Sequence, residues 1–301
     1  MGKLAIISDL HADINKFTHE DLVEIAEYIK NTGATKLHIA GDISNRFDRE
    51  GPEIIQTLNS VIPTTFNFGN HDMLGARDIE ASTIPGFLNF NPLNLNSDTV
   101  LLAFNGWYDY GFAKGTNDEK PADNVVAECK NKYWIDQFIH RSDTDPKISQ
   151  NQAVHLAGLL NHLSKQNKRV IIATHFVPRQ EFIRYPKPLT KRMVTWRTLA
   201  GVLGSKEIGA VISKYNNVVT DVVFGHIHVR DGVRALSNIN WHCRPIGYRY
   251  EWKYTKNWLL AHDEPQKFHF AKHPEIQRNF EQDMRHNWPK VLSKAITLLD
   301  Y

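Results

Sequence analysis

Apolar residues along this chain fall into short unbroken runs separated by stretches of three-to-four periodicity. Residues 3–8 (Lys-Leu-Ala-Ile-Ile-Ser), 36–40, 64–68, 99–105, 169–174 and 218–224 are runs of the first kind. Their length and apolar content predict strands, the most continuous of them buried on both faces. After the first run, Leu22, Ile25, Ala26 and Ile29 make a helical stripe, with Thr18 as N-cap, Asp21 three residues on and Gly33 as the stop. Another helix is expected to open at Pro52 and carry Ile54, Ile55 and Leu58. A capping box at Ser149 and Gln152 predicts a third, bearing Val154, Leu156, Leu159, Leu160 and Leu163. Residues 193–203 and 205–215 read as helical, 232–237 and 241–246 as strands. From Pro274 onward one or two helices are expected, with Val291, Leu292, Ile296 and Leu299 as late apolar positions. The strand–helix–strand order predicts a parallel sheet, and such sheets gather ligands at the carboxyl ends of their strands.

The polar residues that close these runs share one chemistry. The runs end at Asp9-Leu10-His11, at Gly41-Asp42, at Gly69-Asn70-His71-Asp72, at His175 and at Gly225-His226-Ile227-His228. Gly69 suits a tight exit from a strand, because a positive φ costs glycine nothing. An amide oxygen such as that of Asn70 serves hard divalent cations. His71 can supply a proton beside a metal without binding it, with Asp72 fixing its orientation. Taken alone, Asp9 and His11 read as a surface or capping pair. Collected, Asp9, His11, Asp42, Asn70, His71, His175, His226 and His228 exceed what one metal needs. They suit two cations about 3.5–4 Å apart that share a carboxylate and clamp a phosphoryl group. Oxygen and nitrogen donors without thiolate fit Mn²⁺, Fe or Zn²⁺ and do not choose among them.

The middle of the chain is less periodic. From Gly106 to about Pro146 it is polar and aromatic, and the stretch 75–147 is expected to be an inserted cap. Trp107, Tyr108 and Tyr110 are expected to anchor that cap rather than flank a substrate, and nothing holds Asp109 at the site. Residues 179–192 carry Arg179, Arg184, Lys187, Lys191 and Arg192, which either attract phosphate or form a solvated basic loop. The histidines outside the strand endings, among them His38, His155, His262, His269 and His286, are expected to be packed or on the surface. Asp13 is read as a cap or turn, and Trp196 and Trp252 as core residues.

Composition narrows the class. The chain of 301 residues is long enough for one large domain, expected over 1–270, with 271–301 a helical extension packed on it. A hydrophobic content of 42% and a charged content of 23% are those of an ordinary soluble protein. The net charge of +3 calls for neither a nucleic-acid nor a membrane partner. No segment approaches the roughly 20 consecutive apolar residues of a membrane span. The apolar run at 4–7 is too short for a signal peptide, and Ile6 breaks the myristoylation pattern after Met1-Gly2. Cys129 and Cys243, far apart and outside any C-x-x-C pattern, argue against a disulfide framework or thiolate zinc site and suit the cytoplasm.

In their order, the strand endings resemble the calcineurin-like metallophosphoesterases: D-L-H at 9–11, G-D-x-x-N at 41–45, G-N-H-D at 69–72, the lone His175, and G-H-x-H at 225–228. The last residue of the second block is more often Asp in that family; here it is Asn45, outside the metal ligands. The resemblance spans residues 3–246, with the cap unassigned. It implies an α/β fold, a β-sandwich of two sheets flanked by helices. It further implies that one cation takes Asp9, His11 and His228, the other Asn70, His175 and His226, with Asp42 bridging. His71, oriented by Asp72, would be the catalytic imidazole. The implied reaction is hydrolysis of a small phosphomonoester or phosphodiester by a hydroxide held between the cations. Two other functions go with this fold. The complete ligand set and His71 speak against an idle protein-binding scaffold, and the lack of a basic stripe speaks against a nuclease.

Overall fold

The computed structural model describes residues 2–75, 82–267, 270–285 and 287–301. Its strands are β1 (Lys3–Ile7), β2 (Lys36–Ala40), β3 (Thr64–Asn67), β4 (Leu93–Asn94), β5 (Thr99–Phe104), β6 (Arg169–Thr174), β7 (Val219–Phe224), β8 (Gly232–Leu236), β9 (Ile239–Cys243) and β10 (Thr297–Asp300). Its helices are α1 (Ala12–Asn15), α2 (His19–Asn31), α3 (Phe47–Val61), α4 (Asp123–Tyr133), α5 (Asp145–Lys165), α6 (Lys191–Leu199), α7 (Lys206–Lys214), α8 (Lys253–Ala261), α9 (Pro274–Arg285) and α10 (Trp288–Leu292). One sheet has the order β10-β1-β2-β3 and the other β4-β5-β6-β7-β9-β8. Pairing is parallel through β1-β2-β3 and β5-β6-β7-β9, and β10, β4 and β8 pair antiparallel at the margins. The fold is a sandwich of two mixed sheets flanked by helices, as expected.

Continuous apolar runs arise because each central strand feeds two cores. Side chains alternate across a strand, so Leu4 and Ile6 pack between the sheets with Leu101, Ala103, Ile171, Ala173 and Val223. Ala5 and Ile7 point the other way, into Leu22, Ile25 and Ile29 of α2. In the second sheet Val100, Leu102, Val170 and Ile172 meet Leu156 and Leu160 of α5 and Ile208 and Ile212 of α7. Helix α2 starts at the expected N-cap, Thr18, and the structure adds a capping box, with Thr18 and Asp21 each bonding the other's backbone N–H.

Four expectations need correction. Helix α3 begins before Pro52, which lies inside it. Phe47 packs edge-on against Phe68 with centroids 4.7 Å apart, and this contact holds the first turn. Helix α5 begins at Asp145 after Thr144, with Pro146 in its first turn, so Ser149 is not a cap. The Ser149 hydroxyl instead bonds Ser205 Oγ at 2.9 Å. The stretch 75–147 is not one insertion, since β5 within it is an interior strand of the second sheet. Of the described residues in that stretch, 105–144 between β5 and α5 make an excursion outside the sheets, and residues 76–81 lie outside those described. Finally, the C-terminal stretch is not wholly helical: β10 pairs with β1, Leu299 opposite Leu4. Its in–out alternation is only four residues long, too short to read as period two.

The excursion is anchored as anticipated. Trp107 and Tyr108 are fully buried and stacked, and both Trp107 Nε1 (2.8 Å) and the Tyr110 hydroxyl donate to Asp145. Asp109 is occupied away from the strand ends, accepting from Ser205 Oγ and from the backbone N–H groups of Gly111 and Glu207. No described helix is long and apolar enough to cross a membrane.

Candidate metal centre

All the candidate side chains converge at the carboxyl ends of β1, β2, β3, β6 and β7. The strand ends are tied to one another through the backbone. The N–H of Asp9 donates to the Gly41 carbonyl (3.0 Å), that of His11 to the Asp42 carbonyl (2.9 Å), and that of Gly225 to the His175 carbonyl (3.0 Å). Asp9, His11, Asp42, His226 and His228 all have φ between 43° and 72°, in the left-handed region that costs a residue with a Cβ about 1–3 kcal/mol. Five candidate ligands in that region mark turns built to aim side chains inward. Gly69 has another cause than the one read from sequence. Its φ is not among the positive ones, but a Cβ there would lie 2.1 Å from Asp42 Oδ1. Gly225 likewise leaves room for Asp9 Oδ2, which a Cβ would approach to 2.1 Å.

Two groups result. Asp9, His11, Asp42 and His228 form one, and Asp42, His175 and His226 the other. Asp42 Oδ2 lies 3.5 Å from His11 Nε2 and 3.2 Å from His175 Nε2, so one oxygen faces both groups. Asn70 Oδ1 joins the second, 3.2 Å from His175 Nε2 and 3.0 Å from His226 Nδ1. His228 Nε2 is 3.3 Å from Asp9 Oδ1 and 3.0 Å from His11 Nε2. The arrangement fits divalent cations on its own chemistry. Imidazole nitrogens converge on each other and on carboxylates in a buried pocket, and Asp9 Oδ2 is buried with no hydrogen-bond partner among the described residues. His175 Nδ1 bonds the Ala40 carbonyl (3.1 Å) and His228 Nδ1 bonds Glu251 (3.1 Å). Each bond leaves Nε2 directed at the cluster, as metal-binding imidazoles are usually held.

The local fields are large. Burial works against an ionised Asp9, yet His228 holds its carboxyl at about 2. Burial also lowers His228, but Asp9 and Glu251 lift it to about 10. Asp42 lifts His175 to about 9 against the same cost, while burial pushes His226 down to about 3. Two buried carboxylates thus concentrate a demand for positive charge in one spot.

His71 and Asp72 divide otherwise than expected. Asp72 does not touch the imidazole. Its oxygens accept backbone N–H groups of Asp42 (2.8 Å), Ile43 (2.7 Å), Ser44 (3.0 Å) and Gly69 (2.9 Å), stapling the turn after β2 to the turn after β3. The His71 ring is oriented by Asn45, whose Oδ1 bonds Nδ1. The opposite atom, His71 Nε2, lies 4.0 Å from Asp42 Oδ2. Adjacency in sequence misled here, because consecutive residues in a tight turn point apart.

Several contributors carry no sequence signal. Asp136, fully buried in the excursion, accepts from Asn70 Nδ2 (2.7 Å), which turns the amide oxygen of Asn70 toward His175 and His226. Tyr248 packs on His11 and His228 with centroids 4.6 and 4.3 Å away. Asn15 holds the segment that carries Tyr248, donating to the Gly247 carbonyl (3.1 Å) and accepting from the Arg249 N–H (2.7 Å). Trp196, read as core, is 48% exposed and lines a cleft that opens beside the two groups. His38 is a packed histidine, as expected, bonded to Thr65 and Asn67. His269 and His286 lie outside the described residues.

This fold and this convergence of strand endings define a class, and comparison with known proteins agrees. The profile of the calcineurin-like phosphoesterases matches residues 2–230, and the chain belongs to that family. Its fold is similar to that of the phosphopantetheinyl hydrolase PptH of Mycobacterium tuberculosis, with 16% identity, a TM-score of 0.60, and coverage of 85% of this chain and 93% of that one. A dimetal phosphatase of Danio rerio is similar over 82% of this chain and 88% of its own, with 12% identity and a TM-score of 0.53. A search of curated protein sequences finds no match.

Proposed function

We propose that the protein is a two-metal phosphoesterase, with Asp9, His11 and His228 holding one cation, Asn70, His175 and His226 the other, and Asp42 shared. The observation that carries this reading is the place of Asp42, whose single carboxylate belongs to both groups. Family membership and the dimetal phosphatase of similar fold support it. When bound, a cation pair supplies a water of lowered pKa and positive charge for the phosphoryl oxygens. The chain's own residues do the rest. Asn45 Oδ1 can only accept, so His71 keeps a proton on Nδ1 and any second proton sits on Nε2, the atom nearer Asp42. From there it can be donated to the departing oxygen of the ester. Tyr248, with its hydroxyl 3.5 Å from His71 Nε2, confines that atom on the cleft side.

The test is a metal-reconstituted assay on an aryl phosphate, its diester and a cyclic nucleotide, with elemental analysis of the same samples. The His71→Asn variant is expected to keep its metal content and to lose about 10²-fold or more in turnover. Undiminished turnover would remove His71 from the chemistry. A wild-type protein that binds metal yet hydrolyses none of the three would overturn the reading.

A further inference from the structure

We infer that the cleft beside the two groups receives an uncharged aromatic leaving group, so that the substrate is a phosphate ester of a flat, apolar alcohol or phenol. This rests on the phosphoesterase reading and adds the identity of the part that departs. The cleft encloses about 510 Å³, a volume suited to a one- or two-ring group together with the phosphate. One part of its lining is Asn70, His71, His226 and His228. Another is Trp134 from the excursion and Trp196 from α6, edge-on to each other with centroids 6.1 Å apart. Trp134 in turn lies 6.2 Å from the His226 ring, so an indole wall leads outward from the candidate ligands. Phe182, Ile183 and Leu203 continue the apolar lining. An indole left half exposed beside a reactive centre presents a π-face that a planar ring can cover.

The charges of the described lining point the same way. Among the described residues away from the two groups, the charged ones lining the cleft are Arg184 and Glu251. Glu251 is bonded to His228 at 3.1 Å, and Arg184 shares Asp231 with Arg234, at 2.5 and 2.7 Å. A diphosphate, a nucleic acid or an acidic peptide needs cations along its path beyond the scissile phosphate. Arg179 does not supply one, being paired with Glu181 and laid over Trp241. Lys187, Lys191 and Arg192 are exposed and absent from the cleft lining. The loop 179–192 is therefore mainly a solvated face with an apolar underside, and it selects by shape.

The experiment uses the metal-loaded full chain and two probe pairs. Hydrolysis is compared between 1-naphthyl phosphate and acetyl phosphate, and binding between 1-naphthylmethylphosphonate and methylphosphonate by calorimetry. The wild type is expected to bind the naphthyl phosphonate at least about tenfold more tightly than the methyl one. Trp196→Ala is expected to shrink that preference, and the ratio of kcat/KM between the two hydrolysed probes, by about tenfold. Trp196→Phe, which keeps a ring, is expected to restore most of both. Equal binding of the two phosphonates, or ratios indifferent to Trp196→Ala, would overturn the inference while leaving the phosphoesterase reading intact. Trp196-dependent binding without hydrolysis of either probe would overturn the phosphoesterase reading, and the leaving-group assignment with it, and leave the cleft as an aromatic binding site alone.

Discussion

At the scale of single residues, the site depends on who touches whom rather than on who stands next to whom. Asp72 and Asn45 make the point, since the carboxylate beside His71 serves four backbone N–H groups and an amide 26 positions earlier orients the ring. The two residues should therefore fail differently. Asn45→Ala is expected to lower turnover by about 10- to 100-fold with little change in unfolding free energy, because the imidazole loses its orientation but the fold loses nothing buried. Asp72→Asn is expected to cost about 3 kcal/mol in urea unfolding, since an amide nitrogen would face N–H donors where an acceptor stood. Equal stability losses in the two variants would contradict this division. The candidate ligands themselves were legible in the sequence because each follows an apolar run directly. Asp136, Tyr248 and Asn15 were not, because they come from segments without periodicity and act through contacts across the chain.

At the scale of elements, the central strands declared themselves, since burial on both faces leaves nothing but apolar residues in them. The short marginal strands β4 and β10 did not. Within β2 one polar residue interrupts the run. His38 is fully buried between Thr65 and Asn67, and burial, opposed by the Asn67 bond, pushes it down from 6.5 to about 4. Above pH 6.5 the imidazole is neutral in both folded and unfolded chains and costs nothing. As the pH falls from 6.5 toward 4, the unfolded chain takes up a proton that the folded one refuses, so stability declines across that window. The full loss is on the order of 3 kcal/mol. Urea unfolding at pH 7 and pH 4.5 should show a smaller decline for His38→Gln than for the wild type. An identical decline would place the titration elsewhere.

At the scale of the whole molecule, two sheets and the turns that leave them are clamped together around the clustered carboxylates and imidazoles. The first group joins β1 and β2 to the turn after β7, and the second joins β2 to the ends of β3, β6 and β7. A cation seated there binds the folded chain and not the unfolded one, and so stabilises it by mass action. Reconstitution with Mn²⁺ or Zn²⁺ is expected to raise the melting temperature by several degrees, and EDTA to return it and abolish hydrolysis. A melting temperature indifferent to both treatments would count against cations at these residues.

By itself the sequence determined the central strands and the eight polar groups at their ends, while the pairing of two sheets in a sandwich came from the family resemblance those groups carry. Strands and groups both follow from local pattern: burial on two faces writes an apolar run, and a strand's end writes the residue that leaves the sheet there. Only the tertiary structure decided that Asn45 rather than Asp72 serves His71, that Asp136 turns Asn70, and that Trp196 faces a cleft instead of the core. Those are choices between contacts of residues remote in the chain, and the short-range periodicity of a sequence carries no information about the direction in which a turn aims its side chains.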